Sequence, residues 1–247
     1  MNTPRFMVDP SVYFAGAYDQ FALFGGPSTY FHVECIRASR EAFLSKRHVE
    51  MLYATLASWG MHRMGDTETT KTRLTDWDEF HGSLVAKADE LQRFRPLKML
   101  KLSVDDYSSA VLQLRPYYEG LRLSVSNATI VVNSKAFHHL FPDFIPPIDR
   151  QYTIRFFGKL PEHWLDQKGK FRMISLPDGI DAQFHLFHKT CVNMKRLADC
   201  IEALFFGGEL RLHDVAAPKA LDNAIVNYVR IVSGQLRDEL LAKTATR

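Results

Sequence analysis

A stretch of 25 residues, Ser134–Gly158, constrains the fold of this chain more than any other segment. Its first part carries apolar residues at helical spacing, and Pro142 ends that pattern because proline lacks an N–H and disfavours helix at the residue before it. Pro146 and Pro147 then hold the backbone extended, and Asp149 follows at a position typical of a helix N-cap. The stretch therefore predicts a helix, a stiff turn and a second helix.

One lysine and one carboxylate lie in this unit. Lys135 is in the first predicted helix, and Asp149 opens the second helix 14 residues later. Because the link between the helices is stiff, the two side chains have little freedom to separate. The pair can supply chemistry, or Asp149 can be a structural cap and Lys135 a surface lysine or a partner that only locks the turn.

The rest of the chain is also helical in pattern. Apolar residues recur at helical spacing in the segments 28–43, 45–59, 77–94, 103–116, 181–206 and 218–241. We expect Ser28 to be an N-cap, Ser45 and Ser103 to start their helices, and the glycines at 207–208 to be a C-cap. Residues 129–132 have strand propensity, but the helical surroundings favour helix there too. No repeat or low-complexity linker divides the sequence, so we predict a single all-α (mostly α) domain over residues 1–247.

Composition limits the function classes. A hydrophobic fraction of 46% suffices for a large core, and no apolar run approaches the ~20 residues that span a bilayer. The N-terminus shows no secretory signal, and three widely spaced cysteines fit reduced thiols, so we expect a cytoplasmic protein. A net charge of +3 is compatible with a nucleic-acid partner but does not demand one. No cofactor is predicted, and a monomer is favoured.

The Lys135–Asp149 unit resembles the helix-hairpin-helix DNA glycosylase superfamily. That family has a lysine segment of the form G-V-G-x-K-T-A and an aspartate segment of the form P-V-D-T-H-V-x-R. This chain has V-V-N-S-K-A at 131–136 and P-I-D-R-Q-Y-T-I-R at 147–155. Val132 and Asn133 replace the hairpin glycines, and the lysine-to-aspartate spacing is a few residues shorter than in the family.

The resemblance implies an architecture and an activity. Two helical lobes, about 45–157 and about 1–44 plus 158–247, would enclose a cleft that receives a base flipped out of DNA. Asp149 would stabilise the oxocarbenium-like transition state as the N-glycosidic bond of a damaged or modified base is hydrolysed. In bifunctional members of the family the lysine attacks the sugar carbon, which gives Lys135 a possible second role, although a monofunctional enzyme is favoured.

Further residues are candidates for contacts with DNA or with the base. The residues between Gly60 and Gly65 suit a wedge and a phosphate contact, although an ordinary helix C-cap is an open alternative. In the family the hairpin backbone holds a phosphate, so the residue replacing its glycine is a further candidate. The candidate set is Met61, His62, Arg63, Met64, Asn133, Arg150, Tyr152, Tyr30 and His32.

The histidines do not predict a metal site. His138 and His139 are neighbours on one helix and point about 100° apart, so they cannot bind one ion in the i, i+4 manner. We expect one to face the core and the other to face the cleft. His185 and His188 could face the same way, but no third ligand stands near them in sequence.

Two further functions remain open. A catalytically inactive helical module on the same scaffold could bind nucleic acid or a protein, with Asp149 only capping a helix. A small-molecule enzyme on an unrelated helical fold is the third reading, and no phosphate loop, dinucleotide fingerprint or metal motif supports it.

Overall fold

A computed structural model describes residues 2–14, 26–61, 73–125, 128–202 and 216–245, and these ranges are mostly helical. Within them no β-strand forms, and extended pairing is confined to two isolated bridges, Leu74 with Ser124 and Leu165 with Phe171. The predicted all-α class is therefore confirmed. None of the described helices is long and apolar enough to cross a membrane.

The described ranges contain twelve α-helices. In chain order they are α1 (Thr3–Phe6), α2 (Pro10–Phe14), α3 (Pro27–Glu41), α4 (Lys46–Leu56), α5 (Trp77–Val85), α6 (Ala88–Gln92), α7 (Val104–Leu112), α8 (Arg115–Gly120), α9 (Thr129–Leu140), α10 (Arg155–Gly158), α11 (Ile180–Cys200) and α12 (Ala217–Ala245). Two π-helical turns, Ala57–Met61 and Arg150–Ile154, and two 3₁₀ turns, Met99–Lys101 and Pro161–His163, connect them.

Side-chain caps fix several helix starts where the sequence predicts them. The hydroxyl of Ser45 accepts the N–H of His48 at the start of α4, and the hydroxyl of Ser103 accepts the N–H of Asp106 at the start of α7. For α3 the predicted cap at Ser28 is wrong. Gly26 is the N-cap of α3 and Pro27 occupies its first turn, where the fixed φ of proline is already helical.

Other boundaries differ from the sequence prediction. The helix predicted over 77–94 is divided at Lys87, whose backbone leaves the helical region (φ −112°, ψ 10°). The change of direction lets Phe80 and Leu84 on α5 and Leu91 on α6 all reach full burial. At the other end of the chain, α11 ends at Cys200, and the C-cap predicted at 207–208 lies outside the described residues.

Helix α9 is the centre of the molecule. It packs against α3, α4 and α11, and every residue from Val132 to Leu140 is buried. The helical reading of residues 129–132 is confirmed, since α9 begins at Thr129. A helix buried on all sides must satisfy its polar side chains inside the protein, and five consecutive or near-consecutive positions of α9 are polar. Those positions are Asn133, Ser134, Lys135, His138 and His139.

Candidate functional site

The proline link, which we define as residues 142–149, is bonded directly to α9. The hydroxyl of Ser134 accepts the N–H of Ile148 at 3.1 Å and lies 3.3 Å from the carbonyl oxygen of the same residue. Both groups are buried, so these bonds replace water that the link cannot reach. Asp149 follows immediately, and its position relative to Lys135, the residue after Ser134, is set by this clamp.

Asp149 caps the helical turn that follows it, as the sequence predicts. Its Oδ1 accepts the backbone N–H groups of Gln151 at 2.7 Å and Tyr152 at 3.3 Å. Its Oδ2 lies 3.5 Å from the Nζ atom of Lys135. The Asp149 side chain is nevertheless 34% exposed, so capping leaves the carboxylate accessible from outside.

Two lysine–aspartate pairs lie beside the indole of Trp59. The Nζ atoms of Lys135 and Lys219 lie 5.3 and 5.6 Å from the centre of the Trp59 ring system, within the range of cation–π attraction. Lys219 donates to Asp222 at 2.8 Å, much as Lys135 faces Asp149. Positive and negative charges are therefore balanced around this aromatic ring.

Thr153 connects the two pairs. Its hydroxyl accepts the backbone N–H of Asp149 at 3.2 Å and donates to Oδ1 of Asp222 at 3.1 Å. The Thr153 side chain is fully buried. A residue of the turn 150–154 thus ties the proline link to helix α12.

These groups form the wall of a cleft of about 430 Å³, within the range of small-molecule sites. Its lining comes from α3, the turn 57–61, α9, the proline link and α12. The lining residues are Ser28, Thr29, His32, Ser58, Trp59, Gly60, Lys135, Pro147, Asp149, Tyr152, Lys219, Asp222, Asn223 and Val226.

Four buried histidines lie on α3, α4 and α9, and one of them, His32, lines the cleft. The Nδ1 atom of His139 donates to the carbonyl of Lys135 at 2.7 Å, Nδ1 of His32 lies 2.8 Å from Nε2 of His139, and Nδ1 of His138 donates to the carbonyl of Ile145 at 2.8 Å. Burial lowers the pKa of His48 to about 4 and that of His139 to about 3, and it holds the pKa values of His32 and His138 well below the ordinary value. All four rings are therefore neutral at pH 7.

The expectation that one of His138 and His139 faces the cleft is wrong. Both side chains are buried among α3, α4 and α9, and neither belongs to the lining. His32 from α3 is the histidine that reaches the cleft. Among the residues described, no three His, Cys, Asp or Glu side chains are grouped so that they could hold a metal ion.

The structure brings together four of the predicted site residues, which are Lys135, Asp149, Tyr152 and His32. The other described candidates lie elsewhere. Met61 is 2% exposed in the core, Asn133 is buried and donates to the carbonyl of Tyr118 at 2.9 Å, and Tyr30 is 60% exposed outside the lining. Arg150 is partly buried beside Asp149 without lining the cleft. His62, Arg63 and Met64 lie outside the described residues.

Sequence analysis missed the contributions of Trp59 and of α12. Trp59 fits the apolar pattern of α4 and is therefore expected in the core, although the glycine after it is a signal for a turn. Lys219, Asp222 and Asn223 lie within a helix that is otherwise apolar on its buried side. Charged residues spaced i, i+3 on such a face are a signal for a polar site, and the sequence contains it.

Comparison of the chain with protein-family models, with curated proteins and with solved structures gives no match.

Proposed function

We propose that this chain is a DNA glycosylase-like enzyme, in which a base flipped out of DNA enters the cleft and is released by hydrolysis, as the oxygen of a water molecule replaces it on the anomeric carbon of the sugar. One observation carries the proposal. The carboxylate of Asp149 is fixed by two backbone N–H groups yet remains 34% exposed in the wall of a cleft lined by Trp59 and Tyr152.

The chemistry requires a negative charge that does not need to reorganise. Cleavage of the N-glycosidic bond places positive charge on the sugar, and a fixed carboxylate beside it stabilises that charge in the transition state. The N–H groups of Gln151 and Tyr152 hold Oδ1 of Asp149, which leaves Oδ2 as the atom that turns toward Lys135 and the sugar.

Lys135 has a supporting role in this mechanism. An ammonium group that faces a carboxylate at 3.5 Å has no lone pair with which to attack a sugar carbon. The ion pair therefore favours a monofunctional hydrolase, in which Lys135 orients Asp149 and contacts the flipped nucleotide, over a lyase that cuts the strand.

The aromatic walls suit an unstacked base. Flipping a base out of the duplex costs a few kcal/mol, and stacking on an aromatic side chain returns about 1–3 kcal/mol per base. Trp59 lies on the turn after α4 and donates its indole N–H to the carbonyl of Ser28 on α3 at 3.3 Å, and α3 and α12 supply further lining. That lining supports the two-lobed arrangement, with lobes of about 45–157 and about 1–44 plus 158–247.

The test is incubation of the protein with duplex DNAs that each carry one damaged or chemically modified base. We expect abasic sites in at least one of these DNAs, with strand breaks only after alkali. Trp59→Ala should abolish the product, whereas Trp59→Phe, which keeps an aromatic face, should retain most of it. If the folded protein produces no abasic site in any DNA, the proposal is wrong.

A catalytically inactive binding module is the second candidate. The capping bonds and the ion pair with Lys135 already give Asp149 a complete structural role, which this candidate needs. It predicts DNA binding that weakens steeply with salt, because Lys and Arg side chains displace counterions from phosphates, and no release of a base.

A further inference from the structure

A chain of hydrogen bonds runs from the backbone of α9 to the cleft. It begins at the carbonyl oxygen of Lys135, passes through the ring of His139 and ends at the ring of His32. Its two bonds are 2.7 and 2.8 Å long, and both rings are at least nine-tenths buried. The direction of each bond follows from the groups at its ends.

A carbonyl oxygen only accepts, so Nδ1 of His139 must carry the proton. Burial keeps His139 neutral, and its Nε2 atom therefore presents a lone pair. Nδ1 of His32, which lies 2.8 Å from that lone pair, must then be the donor. In a neutral His32 ring this leaves the lone pair on Nε2.

The Nε2 atom of His32 is the ring nitrogen available to the cleft. His32 is 5% exposed and belongs to the lining, while its Nδ1 atom is occupied by fully buried His139. Within the described part of the chain, no side chain or backbone group bonds to Nε2 of His32. Burial first, and then the neighbouring His139, His138 and Lys219, hold the pKa of His32 well below its usual range, so Nε2 accepts and does not donate at pH 7.

We propose that Nε2 of His32 is a fixed hydrogen-bond acceptor that selects a nucleobase with an N–H donor, an amino or lactam group, on the edge facing α3. The inference rests on the proposed function only in that a base enters the cleft. The ring cannot adapt to a base that lacks the donor, because rotation would break the bond to His139. The ring centroid of His32 also lies 5.6 Å from that of Trp59 and 5.8 Å from that of His138, whose ring is nearly parallel to it.

Selection follows from the cost of an unpaired buried acceptor. A base without the N–H displaces water from Nε2 of His32 and leaves this acceptor unpaired, whereas a base with the N–H forms a hydrogen bond to it. Sites that recognise a donor in this way reject analogues that lack it more strongly than apolar pockets reject a change in size.

The test uses two matched pairs of bases and the full-length protein. The pairs are 9-methyladenine with 9-methylpurine, and 9-methylhypoxanthine with 1,9-dimethylhypoxanthine; in each pair the second member lacks the N–H donor. Binding is followed by NMR through the indole N–H signal of Trp59. We expect the wild-type protein to prefer the donor-bearing member of at least one pair by about tenfold.

Two substitutions separate the acceptor from the shape of the ring. In His32→Asn the amide nitrogen lies near the position of Nδ1 and can still donate to His139, but no acceptor faces the cleft. In His32→Gln the amide oxygen lies near the position of Nε2. The preference should disappear in His32→Asn and persist in His32→Gln, whereas exclusion of a methyl group by size alone would persist in both.

Several outcomes would overturn the inference. These are equal binding within both pairs, a preference that survives in His32→Asn, binding of no base at all, or nitrogen-15 shifts that place a proton on Nε2 of His32 in the wild-type protein at pH 7. If this inference holds and the proposed function fails, the protein distinguishes the members of a pair but produces no abasic site in any DNA. Base release from DNA without discrimination between the members of either pair would contradict this inference and leave the proposed function intact.

Discussion

Single polar side chains in α9 decide where the charged groups of the cleft lie. Ser134 bonds the N–H of Ile148, Lys135 faces Asp149, and His139 bonds back to the carbonyl of Lys135. A buried polar side chain is costly unless every bond is made. The same bonds that satisfy these residues therefore position the proline link and the cleft wall.

Ser134→Ala tests this positioning at the level of one atom. The change leaves the N–H of Ile148 buried without an acceptor, so we expect the free energy of unfolding to fall by about 1–3 kcal/mol. Ser83→Ala is the matched control, because the hydroxyl of Ser83 also accepts a backbone N–H, that of Arg122, but at an exposed position where water can replace it. Urea unfolding of both variants measures the difference. Equal losses in the free energy of unfolding would contradict the positioning role of the bonds between Ser134 and Ile148.

At the scale of elements, the turn Ala57–Met61 carries Trp59 from the end of α4 into the cleft. Gly60 makes the turn possible, since its φ of 83° and ψ of 18° lie in the left-handed region. Met61 then returns to the core. A continuous helix through these positions would direct Trp59 differently and would not bring it within cation–π range of both Lys135 and Lys219.

Gly60→Ala should therefore destabilise the protein. A side chain in the left-handed region costs about 1–2 kcal/mol, and relief of that strain would move Trp59. Gly82→Ala provides the contrast, because Gly82 lies in helix α5 with nothing within 4 Å of an added Cβ, where alanine is favoured by up to about 1 kcal/mol. Changes of opposite sign in urea unfolding are the expected result, and a Gly60→Ala variant as stable as wild type would refute the role of the turn.

Local elements could be predicted from the sequence because their causes are local. The caps at Ser45, Ser103 and Asp149 depend on a side chain and an N–H two or three residues away, and the breaks at prolines depend on one ring. The Lys135–Asp149 ion pair could also be predicted, because a stiff link of known length joins the two residues.

The rest of the cleft depends on which helix faces meet, and periodicity does not contain that information. Trp59 and Lys219 come from distant parts of the chain, and neither segment alone indicates that the two side chains meet. The same holds for the pairing of His32 with His139, which joins α3 to α9.

At the scale of the whole molecule, four neutral histidines in the interior link folding to pH. The pKa values of His48 and His139 are lowered from an ordinary 6.5 to about 4 and about 3, and those of His32 and His138 are lowered as well. Since each folded pKa is below the unfolded one, the unfolded chain binds more protons in acid. The associated stability is complete above pH 6.5 and is lost as the pH falls toward the folded values.

Stability should therefore decrease steeply between pH 6.5 and about pH 4. Each of these histidines adds a slope that approaches about 1.4 kcal/mol per pH unit. Urea unfolding at a series of pH values measures this slope. His48→Leu should lower it by up to about 1.4 kcal/mol per pH unit, which corresponds to one proton fewer taken up on unfolding. A free energy of unfolding that stays constant from pH 7 to pH 5 would contradict the neutral, buried state of the cluster.

We propose that the negative charge of Asp149 does the chemistry in an open cleft, and base release by an Asp149→Asn variant is the measurement that checks this role. Asparagine caps a helix nearly as well as aspartate, so the free energy of unfolding should change by about 1 kcal/mol or less. On a modified DNA that the wild-type protein cleaves at the N-glycosidic bond, the single-turnover rate of base release should fall at least about 100-fold in Asp149→Asn, because the transition-state charge loses its counter-charge. A rate equal to that of the wild type would show that the carboxylate only caps the turn.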